Sequence, residues 1–191
     1  MSLAAPIEYQ GAVYILQSLG ITPTAVNVNL ICAQEINEWG WSGADLSRSL
    51  NPLATTQWTP EAVGKWNSVP VWIFSSLQAG AQACAETIKG YPVMLEALQT
   101  SNASLYFGAQ GRAELYRWSG GSASYASDLQ RFYGQLGTPP AQYLAGQQSG
   151  TYLTQVHAGM STGGIIALAL AAGAGVAGWH LLRRRKSSLT A

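Results

Sequence analysis

Residues 163–182 read GGIIALALAAGAGVAGWHLL, and the cluster RRRK follows at once. Twenty uncharged residues wound as a helix rise about 30 Å, the thickness of a bilayer core. A buried Ala/Gly-rich core helix is the competing reading. The basic cluster argues against it, because Trp179 then falls at the interface and Arg183, Arg184, Arg185 and Lys186 lie just past it. One C-terminal transmembrane helix over 163–182 therefore fixes the organisation of everything before it. The expected parts are a folded domain at 1–136, a Gly/Pro/Gln/Ser-rich linker at 137–162, the span, and a basic tail at 183–191. Gly173, Gly175 and Gly178, with Ala171 and Ala174, give small-residue spacings that favour close helix packing. The span is thus expected to meet the lipid bilayer and to self-associate or bind other membrane-borne proteins.

Charge supports this division. Only 10% of the residues are charged, and the net charge is +1. Without the RRRK cluster, six basic residues face nine acidic ones. That balance offers no nucleic-acid surface, and none is expected. The first twenty residues, MSLAAPIEYQGAVYILQSLG, lack a basic start and carry Glu8 early, so they do not read as a signal peptide. Cys32 and Cys84 form no metal motif. Both fall in apolar helical patterns and read as buried thiols; the alternative is one disulfide worth about 3–4 kcal/mol. No metal or other cofactor is expected.

Helical periodicity runs through the first 136 residues. Ile7, Ala12, Val13, Leu16 and Leu19 mark a helix over 5–19 that stops at Gly20. A second, over 23–39, carries Val26, Leu30, Ala33 and Ile36 and closes at Gly40. Residues 40–69 are rich in loop formers. Ile73, Leu77, Ala81, Cys84 and Ile88 predict a helix over 71–89, and shorter ones follow at 92–99, 114–118 and 122–135. No strand and no internal repeat is expected, so the fold class reads as all-α.

One passage breaks the apolar pattern. EINEWGWSG, residues 35–43, sets Glu35 and Glu38 beside Trp39 and Trp41 at a helix end. Asn51-Pro52-Leu53-Ala54-Thr55-Thr56-Gln57 follows, then Trp66-Asn67-Ser68, Gly90-Tyr91-Pro92, Trp118-Ser119-Gly120 and Tyr125. In order and spacing, residues 23–136 resemble the lysozyme-like domains of bacteriophage structural proteins and the wider lytic transglycosylase and goose-type lysozyme group. Those domains usually carry Glu-Gly before a short loop; here the helix ends Glu38-Trp39-Gly40 and the loop is longer.

The resemblance implies a lysozyme-like helical domain that cleaves peptidoglycan glycan strands. Breaking a sugar–sugar bond requires an acid to protonate the leaving oxygen. Burial against aromatic rings and the negative end of a helix dipole both keep a carboxyl protonated near neutral pH. Glu38 is the expected acid, with Glu35, one turn earlier, in reserve. Thr55, Thr56, Gln57 and Asn67 offer uncharged polar groups to the sugar; Tyr91, Trp118 and Tyr125 offer flat faces and hydroxyls. Each has a plainer reading: Glu38 as a solvated helix-end acid, the tryptophans as core, Asn51 and Thr55 as turn caps. Asp45 is a loop acid, and His157 and His180 lie in the linker and the span. With no clear second carboxylate, the expected route is a single acid that turns base, as in lytic transglycosylases, with hydrolysis as the close variant. A catalytically inactive scaffold or glycan-binding virion protein is the rival class. A basic tail after one span favours that end in the cytoplasm, with the domain outside it. Without a signal peptide, the expected location is a phage virion, as an internal-membrane or ejected component that opens the wall for genome entry.

Overall fold

The structure, a computed structural model, describes residues 3–66 and 71–144. The segments expected as span and basic tail, and most of the linker, lie outside the described residues. Among the described residues no helix is long and apolar enough to cross a membrane.

Among the described residues eight α-helices and a two-stranded sheet follow one another: α1 (Pro6–Ser18), α2 (Ala25–Trp39), α3 (Ala44–Ser49), β1 (Ala62–Lys65), β2 (Trp72–Phe74), α4 (Leu77–Ile88), α5 (Pro92–Gln99), α6 (Ala103–Tyr106), α7 (Ala109–Trp118) and α8 (Tyr125–Gln135), with a 3-10 turn at Ala141–Tyr143. The fold is mostly helical. Contacts divide the chain into one unit of Met1–Gly64 and Trp72–Gln148 and a second of Lys65–Val71 and Ser149–Ala191. The second is described at Lys65, Trp66 and Val71, where the Trp66 N–H donates to the Val71 carbonyl at 2.8 Å.

In the first unit α2 is the central rod. Val28, Leu30, Ile31, Cys32, Ala33, Gln34, Glu35 and Ile36 are all buried, so α2 is covered on nearly every side, unlike an amphipathic surface helix. It packs on α1 and α8, and α1 packs in turn on α4. Thr24 sets the start of α2. Its hydroxyl accepts from the Asn27 N–H at 3.2 Å, and Asn27 Oδ1 accepts from the Thr24 N–H at 2.7 Å, a reciprocal cap. That cap leaves Pro23 outside the helix. Cys32 and Cys84 are buried free thiols.

Four expectations change. The predicted helix over 71–89 begins instead at Leu77. Trp72–Phe74 pairs with Ala62–Lys65, and Ser76 then caps α4 by accepting from the Ala79 N–H at 3.1 Å. β-branched and aromatic residues suit a strand, so the apolar run continued across a boundary between elements. The loop-rich 40–69 contains α3, bracketed by left-handed Gly43 and Leu50. The predicted 114–118 helix starts earlier, at Ala109. The domain also runs past 136: the Asn29 Nδ2 donates to the Gly137 carbonyl at 2.9 Å, and Tyr143 stacks on Tyr9 with ring centroids 5.0 Å apart.

Candidate functional site

Glu38 occupies the last turn of α2, and two other helices bring groups to it. From α8 the buried Tyr125 hydroxyl donates to Glu38 Oε1 at 2.5 Å. From the end of α7 Trp118 also hydrogen-bonds its carboxyl. Trp118 lies against Tyr91, at the start of α5, with centroids 5.1 Å apart. Arg117 stands 4.4 Å over the Tyr91 ring and donates to the Gly90 carbonyl at 2.7 Å. The fold thus gathers Glu38, Tyr125, Trp118 and Tyr91, remote in sequence, into one continuous set.

Burial raises the Glu38 carboxyl from its ordinary 4.5 to about 7, against the opposing pull of the Tyr125 and Trp118 hydrogen bonds. The residue as a whole is half-buried. At neutral pH it is poised between acid and carboxylate, as an acid–base catalyst requires. Tyr125 is pushed well above its usual range, first by burial and then by Glu38, and remains a hydroxyl donor.

A buried polar pair lies next to this set along α2. The Tyr106 hydroxyl, on α6, donates to Gln34 Oε1 at 2.8 Å. Gln34 lies one turn before Glu38, and its Nε2 is buried without a hydrogen-bond partner among the described residues. Sequence reasoning missed both residues. The available signal was a glutamine four residues before an acid on an otherwise apolar helix.

The loop from Asn51 to Gln57 does different work. The Trp39 indole donates to the Asn51 and Pro52 carbonyls at 2.8 and 3.0 Å, tying the turn to the residue after Glu38. Asn51 donates to the Thr55 and Trp72 carbonyls and accepts from the Thr55 N–H. Thr55, expected at the sugar, is buried, and its hydroxyl pairs with Thr87 at 2.6 Å. Its side chain holds the loop to α4. Thr56 and Gln57 are exposed. The Thr56 carbonyl accepts from the Trp72 indole, and Gln57 reaches the Trp58 carbonyl. Beside them Trp58 is 57% exposed. Asn67 lies outside the described residues.

Glu35 is fully buried, and neither carboxyl oxygen has a partner. Gly11 leaves it room; a Cβ there would collide with Glu35 Oε1. Burial, and then Glu8, raise it far above the carboxylate range. A carboxyl sealed in this way cannot touch a polymer, and Glu38 is the less buried residue of the two. Asp45 is a surface group paired with Arg48 at 3.4 Å. Among the described residues no cluster of His, Cys, Asp or Glu could hold a metal ion. Comparison with family models, curated proteins and solved structures found no match.

Proposed function

We propose that this chain is a lysozyme-like, glycan-cleaving enzyme of the lytic transglycosylase type, with peptidoglycan as its substrate and Glu38 as its single acid and base. The observation that carries this reading is the Glu38 carboxyl, held near pH 7 by burial at a helix end and gripped by Tyr125. In the proposed reaction neutral Glu38 gives its proton to the glycosidic oxygen as the bond to the sugar breaks. The resulting carboxylate takes the proton of that sugar's own 6-hydroxyl, which closes on the anomeric carbon to give an anhydro product. Attack by water gives hydrolysis instead. Trp118 and Tyr91 supply ring faces for sugar, and Thr56, Gln57 and Trp58 lie exposed together on the loop after the Asn-Pro turn.

The proposed setting is a phage virion. A membrane span over 163–182 would anchor the domain, with the basic tail inside and the domain facing the wall during genome entry; the length of that stretch and its RRRK flank support this. Clearing of purified cell walls embedded in a gel tests the enzyme. The parent protein is expected to clear them and Glu38→Gln to fail while keeping its fold. No clearing by the parent overturns the catalytic reading in favour of a glycan-binding scaffold. Mass spectrometry of purified particles tests the setting, and truncation after Gly150 is expected to release a detergent-independent monomer.

A further inference from the structure

Helix α7 reaches the Gly90-Tyr91-Pro92 turn with Glu114, Arg117 and Trp118, whose spacing along the helix puts them on one face. Glu114 Oε2 accepts from the Met94 N–H at 2.8 Å, in the first turn of α5. The Arg117 guanidinium donates to the Gly90 carbonyl at 2.7 Å and lies 4.4 Å over the Tyr91 ring. Trp118 meets the same ring at 5.1 Å between centroids, tilted by 57°. Arginine suits this double task, because its flat guanidinium stacks on an aromatic face while an N–H at its edge reaches a carbonyl. Arg48, Lys89 and Arg131 each pair with a carboxylate. Arg117 has no such pair among the described residues; its contacts go to Gly90 and Tyr91.

This assembly stands at the Glu38 end of the domain. α7 stops at Trp118 in a tight turn, with Gly120 and Gly121 left-handed and the Gly121 N–H donating to the Tyr116 carbonyl at 2.8 Å. α8 begins just beyond, at Tyr125, whose hydroxyl holds Glu38 Oε1. Tyr91 is half-buried and packed on the core. With Arg117 over one face of its ring and Trp118 beside it, the hydroxyl is the part of Tyr91 left unengaged. It has no hydrogen-bond partner among the described residues and is not sealed from solvent. A free phenol both donates and accepts. We propose that the Tyr91 hydroxyl is a hydrogen-bonding contact for the glycan and that Arg117 is the positioning residue that aims it. The guanidinium orders the ring before a ligand arrives, so that ordering is not a cost of binding.

The inference rests on the proposed function for its ligand, a peptidoglycan glycan strand, but not on cleavage of that strand. Soluble glycan strands stripped of their peptides by an amidase are titrated calorimetrically into full-length Glu38→Gln, which under the proposed mechanism leaves them intact. Adding Tyr91→Phe keeps the ring and its stack and removes only the hydroxyl. It is expected to weaken binding by about threefold to tenfold, the worth of one neutral hydrogen bond. Arg117→Ala in place of Tyr91→Phe is expected to weaken it by about twofold to fivefold, because the ring must then be ordered on binding. Once Tyr91→Phe is present, Arg117→Ala is expected to cost nothing more, since no hydroxyl remains to be aimed; a merely structural arginine would cost the same in both backgrounds. Unchanged binding in either single addition, an equal Arg117→Ala loss in both backgrounds, or no binding by Glu38→Gln itself overturns the proposal. Should Arg117→Ala not fold, Arg117→Lys, which keeps the charge and loses the flat stack, takes its place with the same expectation. The expected binding pattern beside a parent protein that clears no wall refutes the catalytic reading and leaves the Tyr91 contact standing. A parent that clears walls, with Tyr91→Phe binding undiminished, does the reverse.

Discussion

Raising the pH from 5 to 8 is expected to weaken this fold, with Glu8 carrying much of the effect. Glu8 is wholly buried at the third position of α1, where Oε2 accepts from the Ala5 N–H at 2.6 Å and Oε1 has no partner. Burial raises its carboxyl from 4.5 to about 7, the Ala5 bond pulling the other way. Between those two values the folded chain holds a proton that the unfolded chain has released, so stability falls as pH climbs through the window. Below 4.5 the contribution is fully present; above about 7 it is gone. At about 1.4 kcal/mol per unit, the loss comes to roughly 3 kcal/mol. Glu35, held well above the carboxylate range by burial and by Glu8, and Glu38, raised to about 7, add to the same slope. Urea unfolding at half-unit steps from pH 4.5 to 8 measures it. Glu8→Gln is the decisive variant, because glutamine at this helix position serves the cap as well as glutamate does. It is expected to match the parent near pH 4.5 and to exceed it by up to about 3 kcal/mol at pH 8, where the parent must ionise a buried acid. A parent whose stability rises from pH 5 to 8, or a Glu8→Gln variant weakened equally at every pH, refutes the reasoning.

Tyr125→Phe deletes one donor to the Glu38 carboxylate, worth about 1.5–3 kcal/mol for a charged acceptor. The Glu38 midpoint is expected to rise by about 1–2 units in a carbon-13 NMR titration of the glutamate carboxyls, with Glu38→Gln assigning the signal. Asn51→Ala strands the Thr55 and Trp72 carbonyls and the Thr55 N–H together, at an expected cost of about 2–4 kcal/mol in chemical denaturation. Gly80→Ala drives a methyl into the Leu50 carbonyl, where α4 and the end of α3 nearly touch; melting is expected to show a loss above about 2 kcal/mol, with Gly134→Ala, in open space on α8, as the control that loses nothing and gains up to about 1 kcal/mol.

Long helices were legible because their apolar spacing reports burial directly. α1, α2, α5 and α8 stand close to where their periodicity put them. The short elements were not legible, since each is fixed by groups distant in sequence. β2 is a strand because β1 pairs with it, and its residues Trp72, Ile73 and Phe74 otherwise extend the apolar run of α4. α3 depends on left-handed conformations at Gly43 and Leu50, and nothing in the letter Leu announces the second. At the candidate site, the residues around Glu38 could be named but not their tasks. Tyr125 proved to be a hydrogen-bond donor to the acid, and Thr55 a buried tie between loop and helix. Residue burial separates Glu38 from Glu35, and two carboxyls one turn apart on a helix differ in it only once neighbouring helices are present.

The two buried thiols make the molecule its own clock. Thiol reagents attack only the thiolate, and burial both hides Cys32 and Cys84 and holds them protonated. Modification must wait for an opening, so its rate counts openings. The two counters sample different doors. Cys84 Sγ accepts from the Leu53 N–H at 3.4 Å and lies 3.5 Å from Asn51 Oδ1, so a lifting of the Asn-Pro turn alone uncovers it. Cys32 lies inside the central helix, which is covered on nearly every side, so its exposure requires the packing around α2 to part. Equal labelling rates would mean that the turn moves only when the whole domain does. A faster Cys84 would give the breathing rate of the loop that leads away from Glu38, read without substrate, spectroscopy or mutation.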